Sequence, residues 1–173
     1  MTEATSAQSA PVPDAGEGRD GLHRYALIGH PNTGKTTLFN RLCGVRAKTA
    51  NFPGSTVEAR VGHFGVDDEP VELIDLPGHY GLHLERPESQ ICRGVLRGTV
   101  DAAPDLDGVI VVGNATNLPR ALLLVGETID EGLPCVLVLN MMDLAAHAGV
   151  EIDVDRLSSL LGCPVVGVSA RSG

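Results

Sequence analysis

Residues 29–36 have the sequence GHPNTGKT, which fits the pattern G-x-x-x-x-G-K-[ST] of a phosphate-binding loop. Such a loop lies between a strand and a helix. The apolar run at 25–28 predicts a buried strand, and Leu38 and Leu42 share one face of a predicted helix over 36–42 that ends at Gly44. A chance match in a glycine-rich chain is the alternative, and these flanking patterns argue against it. The sequence therefore predicts a strand–loop–helix unit that binds phosphate.

The chemistry of such a loop assigns roles to its residues. Successive backbone N–H groups and the start of the helix would surround the phosphates, and glycine allows the backbone to come close. Lys35 would contact the β- and γ-phosphates, and the Thr36 hydroxyl would bind the Mg²⁺ that bridges them. The predicted phosphate-binding residues are Gly29, His30, Pro31, Asn32, Thr33, Gly34, Lys35, Thr36 and Thr37.

Composition limits the classes of function. A chain of 173 residues with 43% hydrophobic residues is expected to form one domain. Its net charge of −9 argues against a protein that wraps nucleic acid, and no segment has the roughly 18 consecutive apolar residues of a membrane span. The four cysteines form no C-x-x-C pair, which favours a reducing, cytoplasmic setting. Cys135 and Cys163 are expected to be buried and unreactive.

The first part of the chain differs from the rest. Residues 1–22 are rich in Ala, Ser, Pro, Gly and acidic residues and lack the features of a secretory signal, so we expect a disordered tail. The folded domain is expected over 23–173. Residues 45–55 are polar and contain Pro53-Gly54, which predicts a mobile loop.

The remaining pattern alternates strands and helices. Residues 57–62 alternate as a half-exposed strand does, and a turn at 67–70 leads into a second strand at 71–75. Further strands are predicted at 109–112, 135–139 and 165–168, and helices at 88–100, 118–131 and from 153 or 154 to 161. The predicted fold class is α/β, with a mainly parallel six-stranded sheet, one antiparallel edge strand and helices on both faces.

A second nucleotide-binding pattern follows the strand at 71–75. Asp75, Leu76, Pro77 and Gly78 place a carboxylate at a strand end and a flexible glycine beyond it. Because ligands of open parallel sheets lie off the carboxyl ends of the strands, Asp75 and the phosphate loop would face one crevice. Asp75 would hold Mg²⁺ through water, and the Gly78 N–H would sense the γ-phosphate. The alternative is a simple turn.

A third pattern lies just past the strand at 135–139, in Asn140, Met141, Met142 and Asp143. A carboxylate here can accept two hydrogen bonds from guanine, from N1–H and from the exocyclic amine. Adenine lacks that donor pair, so the pattern favours GTP and GDP over adenine nucleotides. The alternative is that Asn140 and Asp143 only cap a helix.

Together with these motifs, further segments resemble the G domain of the FeoB ferrous iron transport family. They are NFPGSTVE at 51–58, NATNL at 114–118, CPVV at 163–166 and VSAR at 168–171. The resemblance, which extends over nearly all of the chain from residue 24, implies a P-loop GTPase fold and Mg²⁺-dependent GTP hydrolysis. It also implies a membrane permease as the partner, Fe(II) uptake as the process, and a position at the cytoplasmic face of the membrane.

The resemblance implies further residue roles. Thr56, within the segment that contains Gly54 and Ser55, would complete the coordination of Mg²⁺ when the γ-phosphate is present. Asn32 would help to hold a K⁺ near the phosphates. Ala170 would offer its N–H to guanine O6, with Ser169 ordering that loop. Met141 stands where many GTPases have lysine, which implies weaker binding and faster GDP release.

The sequence also departs from the family. His79 follows the Asp-Leu-Pro-Gly segment where the family usually has an uncharged residue, so it could orient the attacking water; otherwise it is an exposed loop histidine. The chain ends at Gly173, before the closing helix, regulatory domain and permease of the family, as an incomplete product or a fragment would. Two alternative functions stay open: a free-standing regulatory GTPase of the ribosome or tRNA type, and a guanine-nucleotide-binding module without turnover.

Overall fold

The computed structural model of the chain describes residues 21–44, 47–51, 58–100 and 103–170. These residues form one sheet of seven strands in the order β2-β3-β4-β1-β5-β6-β7. Strands β4, β1, β5, β6 and β7 are parallel to one another, and β3 is antiparallel to both β2 and β4. The predicted mainly parallel α/β sheet is therefore confirmed.

The strands are β1 His23–Gly29, β2 Lys48–Asn51, β3 Glu58–Val66, β4 Glu69–Asp75, β5 Gly108–Asn114, β6 Cys135–Asn140 and β7 Val165–Gly167. The helices are α1 Lys35–Cys43, α2 Pro87–Leu96, α3 Leu118–Asp130, α4 Met142–His147 and α5 Val154–Leu161, with a short 3₁₀ turn at Ala115–Asn117. None of these helices in the described ranges is long and apolar enough to cross a membrane.

Alternation along the strands places a core on each face of the sheet. In β1, Ala26 and Ile28 contribute to the core that packs α2 and α3, whereas Leu27 faces the opposite side and packs with Phe39 of α1. All three side chains are fully buried because β1 lies in the middle of the sheet. The predicted helices on both faces are confirmed.

Two details of the prediction were wrong. The sheet has seven strands rather than six, because β2 forms inside the segment that was expected to be a mobile loop. Its sequence, KTAN, has no apolar alternation, and it pairs at the edge through its backbone, where Lys is common. Helix α2 ends at Leu96, before the predicted 100, because Gly98 takes a positive φ of 63°.

The predicted turn before β4 is confirmed. Asp67 and Asp68 have φ angles of 50° and 69°, the pair of positive values that a tight hairpin between twisted strands needs. Val66 and Glu69 pair directly across it. The predicted tail lies almost wholly outside the described residues, and β1 begins at His23, where the domain was expected to start.

Candidate functional site

The phosphate loop leaves β1 at the carboxyl end of the sheet and enters α1. Gly34 has a φ of 83°, and a Cβ there would lie 2.2 Å from Asn140 Nδ2. A Cβ at Gly29 would lie 2.7 Å from the Val112 carbonyl oxygen. Both positions therefore need glycine. Within the loop, the Thr33 hydroxyl donates to the His30 carbonyl over 2.9 Å.

This loop borders a cavity of about 420 Å³ at the start of α1. The backbone there presents the N–H groups of a helix start, which favour an anion. The cavity is lined by His30, Pro31, Asn32, Gly34, Lys35, Thr36 and Gly78. Six phosphate-loop residues and Gly78 thus line one cavity.

Lys35 and Asp75 form a buried ion pair beside this cavity. The Lys35 ammonium contacts Asp75 Oδ1 and also donates to the Leu76 carbonyl oxygen over 2.5 Å. Lys35 is 9% exposed and Asp75 6% exposed, so each charge depends on the other. The structure thus brings the predicted phosphate lysine and the predicted Mg²⁺ carboxylate together.

The segment after Asp75 crosses the phosphate loop. The Leu76 N–H donates to the Leu27 carbonyl over 3.0 Å, and the His79 N–H donates to the Gly29 carbonyl over 3.3 Å. A Cβ at Gly78 would lie 3.4 Å from Pro31 Cα, so the two backbones are in contact. These contacts place Gly78 next to the phosphates' expected position.

His79 is not an exposed loop residue: it is only 2% exposed. Its Nδ1 lies 3.2 Å from the Pro77 carbonyl oxygen, and its Nε2 has no hydrogen-bond partner among the described residues. Burial lowers the pKa of His79, and the nearby positive charge of Lys35 acts in the same direction. The alternative interpretation of an exposed histidine is therefore wrong.

His30 is a second buried histidine of this region, 4% exposed, and its ring lies 6.4 Å from the Tyr80 ring. Burial and the positive charge of Arg120 lower the pKa of His30. Both histidines next to the phosphate loop are thus held neutral by their surroundings.

Asn140 joins three segments beside the phosphate loop. Its Nδ2 donates to the Thr33 carbonyl over 2.9 Å, and its Oδ1 accepts from the N–H groups of Met141, at 2.8 Å, and Ala170, at 2.9 Å. The side chain is 4% exposed. Asn140 therefore fixes the phosphate loop, its own loop and the Ala170 loop relative to one another.

Two predicted base loops lie side by side: one follows β6 at Asn140–Asp143, and the other follows β7 at Ser169 and Ala170. The Met142 N–H donates to the Val168 carbonyl over 3.2 Å, and the Asp143 N–H donates to Ser169 Oγ over 3.1 Å. The Asp143 side chain is exposed at the start of α4. Ser169 thus orders the Asp143 backbone, and the carboxylate faces solvent, where a base could reach it.

Several features were not expected from the sequence. The Ala170 N–H, which was assigned to guanine O6, donates to Asn140 in this structure. Arg41 of α1 donates to the Ala170 carbonyl over 2.8 Å. An Arg in the last turn of a helix is a common partner for carbonyls, but only the fold shows which carbonyl it meets. Helix α4 was also missed, since it has only six residues.

Some predicted residues cannot be placed. Gly54, Ser55 and Thr56 lie outside the described residues. Among the residues that the structure does describe, Thr36, Thr37 and Asn32 are exposed at the loop, and Asn32 has a φ of 64°. The same described residues contain no cluster of three or more His, Cys, Asp or Glu that could hold a metal ion. A metal here would depend on oxygen atoms of Thr36, Asp75 and the phosphates, a donor set that suits Mg²⁺.

Comparisons with known proteins agree with this geometry. The sequence model of the family FeoB_N, ferrous iron transport protein B, matches residues 23–173. The Fe(2+) transporter FeoB of Salmonella typhimurium (strain LT2) is 43% identical over 152 residues, which cover 85% of this chain and 19% of that protein. The chain thus spans about a fifth of the length of the curated relatives that it matches.

Solved structures give the same result. The G domain of the T. maritima FeoB iron transporter has a TM-score of 0.78 and 36% identity, covering 88% of this chain and 90% of that one. The cytosolic domain of that transporter in a GDP form has a TM-score of 0.81 and 37% identity, covering 88% of this chain and 58% of that one. This chain belongs to the FeoB family of ferrous iron transport proteins and corresponds to their G domain.

Proposed function

We propose that the chain binds GTP and GDP at the carboxyl end of its sheet, hydrolyses GTP with Mg²⁺, and couples the bound nucleotide to Fe(II) uptake. The observation that carries this proposal is the set of three hydrogen bonds made by the Asn140 side chain, which join the phosphate loop to both base loops. A phosphate loop alone would suit many nucleotides. The attached base loops, with Asp143 exposed, favour guanine.

Phosphate binding would rest on the loop backbone and on Lys35. In this structure Lys35 is paired with Asp75, so binding of a triphosphate would exchange that carboxylate for phosphate oxygens. Asp75 would then be available to a metal-bound water. The hydroxyl of Thr36 borders the same cavity.

The metal ions are part of the proposal. Mg²⁺ would neutralise the charge that develops on the phosphate oxygens. Thr36 and Asp75 supply the hard oxygen donors that it prefers, and Thr56 is proposed as a further ligand. For K⁺ we propose the side chain of Asn32, which is exposed at the cavity.

The base would be read by Asp143, and Ala170 would contribute its N–H to guanine O6. Because this N–H donates to Asn140 in the structure, it would be shared with the base or released to it. Ser169 would keep the Asp143 backbone in place.

His79 is a less direct candidate for orienting the attacking water. Its side chain is buried and does not line the cavity, so it would have to turn outward with the Gly78 segment. Unchanged single-turnover hydrolysis in a His79→Ala variant would remove this role.

Coupling to transport is proposed from the family. The relatives are Fe(2+) transporters of which this chain matches about a fifth. We propose that the segments around Thr56 and Gly78 order with GTP and relax with GDP, and that a permease domain at the cytoplasmic face of the membrane senses the change.

The test measures GTP hydrolysis by the purified chain with Mg²⁺, in KCl and in NaCl. We expect faster turnover in KCl, and loss of that difference in Asn32→Ala but not in Asn40→Ala, an exposed asparagine of α1. Tight GTP binding with negligible turnover in both salts would contradict hydrolysis and leave a binding module. Capture of ribosomal RNA by the chain would instead favour a free-standing regulatory GTPase.

A further inference from the structure

Two cysteines face each other where β6 and β7 begin. Strand β6 pairs with β7 in parallel, with Leu137 opposite Val165. Continuing this register two residues back places Cys163 opposite Cys135, and the Leu137 N–H bonds the Pro164 carbonyl at 2.9 Å on the way. Residues two apart lie on the same face of a strand, and adjacent strands lie about 4.8 Å apart. That spacing is within the Cα range of disulfides, about 4.4–6.8 Å.

Both thiols belong to the same packed cluster on one face of the sheet. Cys163 is 7% exposed, whereas Cys135 is only half-buried, so the expected burial is confirmed for Cys163 and was wrong for Cys135. The Ser158 hydroxyl of α5 donates to the Cys163 carbonyl over 2.9 Å, which fixes the backbone of this position. The pair therefore has a set geometry, with Cys135 partly open to solvent and Cys163 exposed only enough for a small oxidant.

The contact between the sulfurs also changes their acidity. A hydrogen bond from the Cys135 thiol lowers the pKa of Cys163 to about 7, and the pKa of Cys135 is raised by the same contact. The other two cysteines differ: burial raises the pKa of Cys92 to about 12 and also raises that of Cys43. A reactive thiolate is thus available at the pair and disfavoured at the other two.

We propose that Cys135 and Cys163 are a redox-modification site that forms a reversible disulfide with a peroxide as oxidant. The Cys163 thiolate attacks one peroxide oxygen, the O–O bond breaks, and the released hydroxide takes up a proton to leave as water. Cys163 is then a sulfenic acid. The Cys135 sulfur attacks the Cys163 sulfur, the S–O bond breaks, and the oxygen leaves as water with the Cys135 proton. Two thiols and one peroxide yield one disulfide and two waters.

The bond would lie at the opposite end of the strands that hold the base loops. Strand β7 is a three-residue edge strand, and it leads to Ser169 and Ala170. Just after β7, the Val168 N–H donates to the Leu139 carbonyl and the Ala170 N–H donates to Asn140 Oδ1, and both bonds hold this segment to β6. A disulfide at its start would therefore secure an edge strand that few hydrogen bonds keep in place. Intracellular disulfides of this kind are usually transient and regulatory.

The experiment treats the reduced full chain with hydrogen peroxide, blocks the remaining thiols with N-ethylmaleimide, and maps the peptides by mass spectrometry. We expect two of the four thiols to be lost, one peptide pair linked through 135 and 163, and full reversal by dithiothreitol. The melting temperature of the oxidised chain is expected to rise by about 5–10 °C. Cys163→Ser should abolish the link, Cys135→Ser should leave a sulfenic acid that dimedone captures, and Cys43→Ser should change neither result.

The proposal would be overturned by four thiols that survive peroxide, by first oxidation at Cys43 or Cys92, or by links between chains only. A linked pair with an unchanged or lower melting temperature would overturn the stabilising role of the bond. None of these results depends on GTP binding, so the outcome is separate from that of the hydrolysis assay.

Discussion

The proposed phosphate end of the site, formed by the phosphate loop and Gly78, consists mainly of backbone, whereas the proposed base end, around Asn140, Asp143 and Ser169, is held together by side chains. At the phosphate end, glycines at 29 and 34 allow close approach, and Lys35 is the side chain whose charge faces the cavity. At the base end, the side chains of Asn140 and Ser169 accept or donate hydrogen bonds, and the side chain of Asp143 is exposed. At the phosphate end we therefore expect nucleotide affinity to tolerate a change of the His30 side chain but not of Gly34 or Lys35, and at the base end we expect it to tolerate few changes.

The largest expected effect is that of Lys35→Ala. It removes the charge that would meet the phosphates, and charged hydrogen bonds of about 1.5–3 kcal/mol each predict a loss of GTP affinity of about 100-fold or more. Titration calorimetry with GTP measures it. Lys48→Ala on the exposed edge strand β2 is the control, and affinity within threefold of the parent protein would contradict the role of Lys35.

The same variant separates binding from folding. Lys35→Ala leaves the Asp75 carboxylate buried without its partner, which is expected to destabilise the fold by about 3–5 kcal/mol. Adding Asp75→Asn removes that charge, so the double variant should regain most of the melting temperature and none of the affinity. Recovery of both would mean that Lys35 acts only through Asp75.

At the base end, Asp143→Asn is expected to change which base is bound. The variant replaces one carboxylate acceptor by an NH₂ donor, so the exocyclic amine of guanine loses its partner while the C2 carbonyl of xanthine gains one. We expect GTP affinity to fall about 100-fold and XTP affinity to rise. Competition between the two nucleotides measures this, with Asp155→Asn, an exposed position of α5, as control. Unchanged preference for GTP would exclude Asp143 as the base reader.

Asn140→Ala tests the connection between the two ends. It leaves the Thr33 carbonyl and the Met141 and Ala170 N–H groups without their hydrogen-bond partner. Each buried polar group left unsatisfied is expected to destabilise the folded state by about 1–3 kcal/mol. We expect a melting temperature lower by about 5–10 °C and GTP and GDP affinities lower by about tenfold, since the loops lose their common anchor. Asn117→Ala is the matched control, because Asn117 is exposed and its side chain caps no helix. Equal stability of both variants would contradict the anchoring role.

The sequence predicts those parts of the fold and the site that are formed by residues close together in the chain, and it does not predict contacts between distant residues. The strand, loop and helix around Gly34 follow from local pattern and were predicted almost to the residue. The bond from Asn140 to Thr33 spans 107 positions, and no local pattern could show that Asn140 is an internal anchor. Strand β2 was missed for a related reason, because an edge strand of polar residues is defined by its partner β3 rather than by its own side chains.

The position of His79 was also beyond local inference. A histidine after Pro-Gly in a loop is normally exposed, but the N–H of His79 bonds Gly29 and draws the residue into the core. The alternative of an exposed histidine was wrong because the segment after Asp75 is bonded to the end of the neighbouring strand β1, where the Leu27 carbonyl accepts from the Leu76 N–H.

Burial of His79 predicts a dependence of stability on pH. Since its pKa is lowered in the folded state, the unfolded chain takes up the proton first as the pH falls. The contribution of neutral His79 to stability is therefore fully present above the ordinary histidine pKa of about 6.5. Below that pH the contribution is lost, by up to about 1.4 kcal/mol per pH unit for one histidine. In His79→Gln the melting temperature should fall less steeply between pH 7 and 5.5, although its value at pH 7 is lower. His83→Gln, at an exposed position, should keep the parent slope, and equal slopes in all three proteins would contradict the effect.

The smallest expected effect is that of Arg41→Ala, which removes a contact between α1 and the base end of the site. Helix α1 begins at the phosphate loop, and in its last turn Arg41 donates to the carbonyl of Ala170 in the base loop. Arg41 is exposed, so its removal should change the melting temperature by less than about 2 °C. Ala170 would lose the contact of its carbonyl to Arg41 and keep the contact of its N–H to Asn140. We expect GDP affinity to fall only two- to fivefold in Arg41→Ala, and faster GDP release in stopped-flow measurements, with Arg156→Ala on α5 as control. A loss as large as that of Asn140→Ala would mean that α1, and not the paired strands β6 and β7, holds the base loop in place.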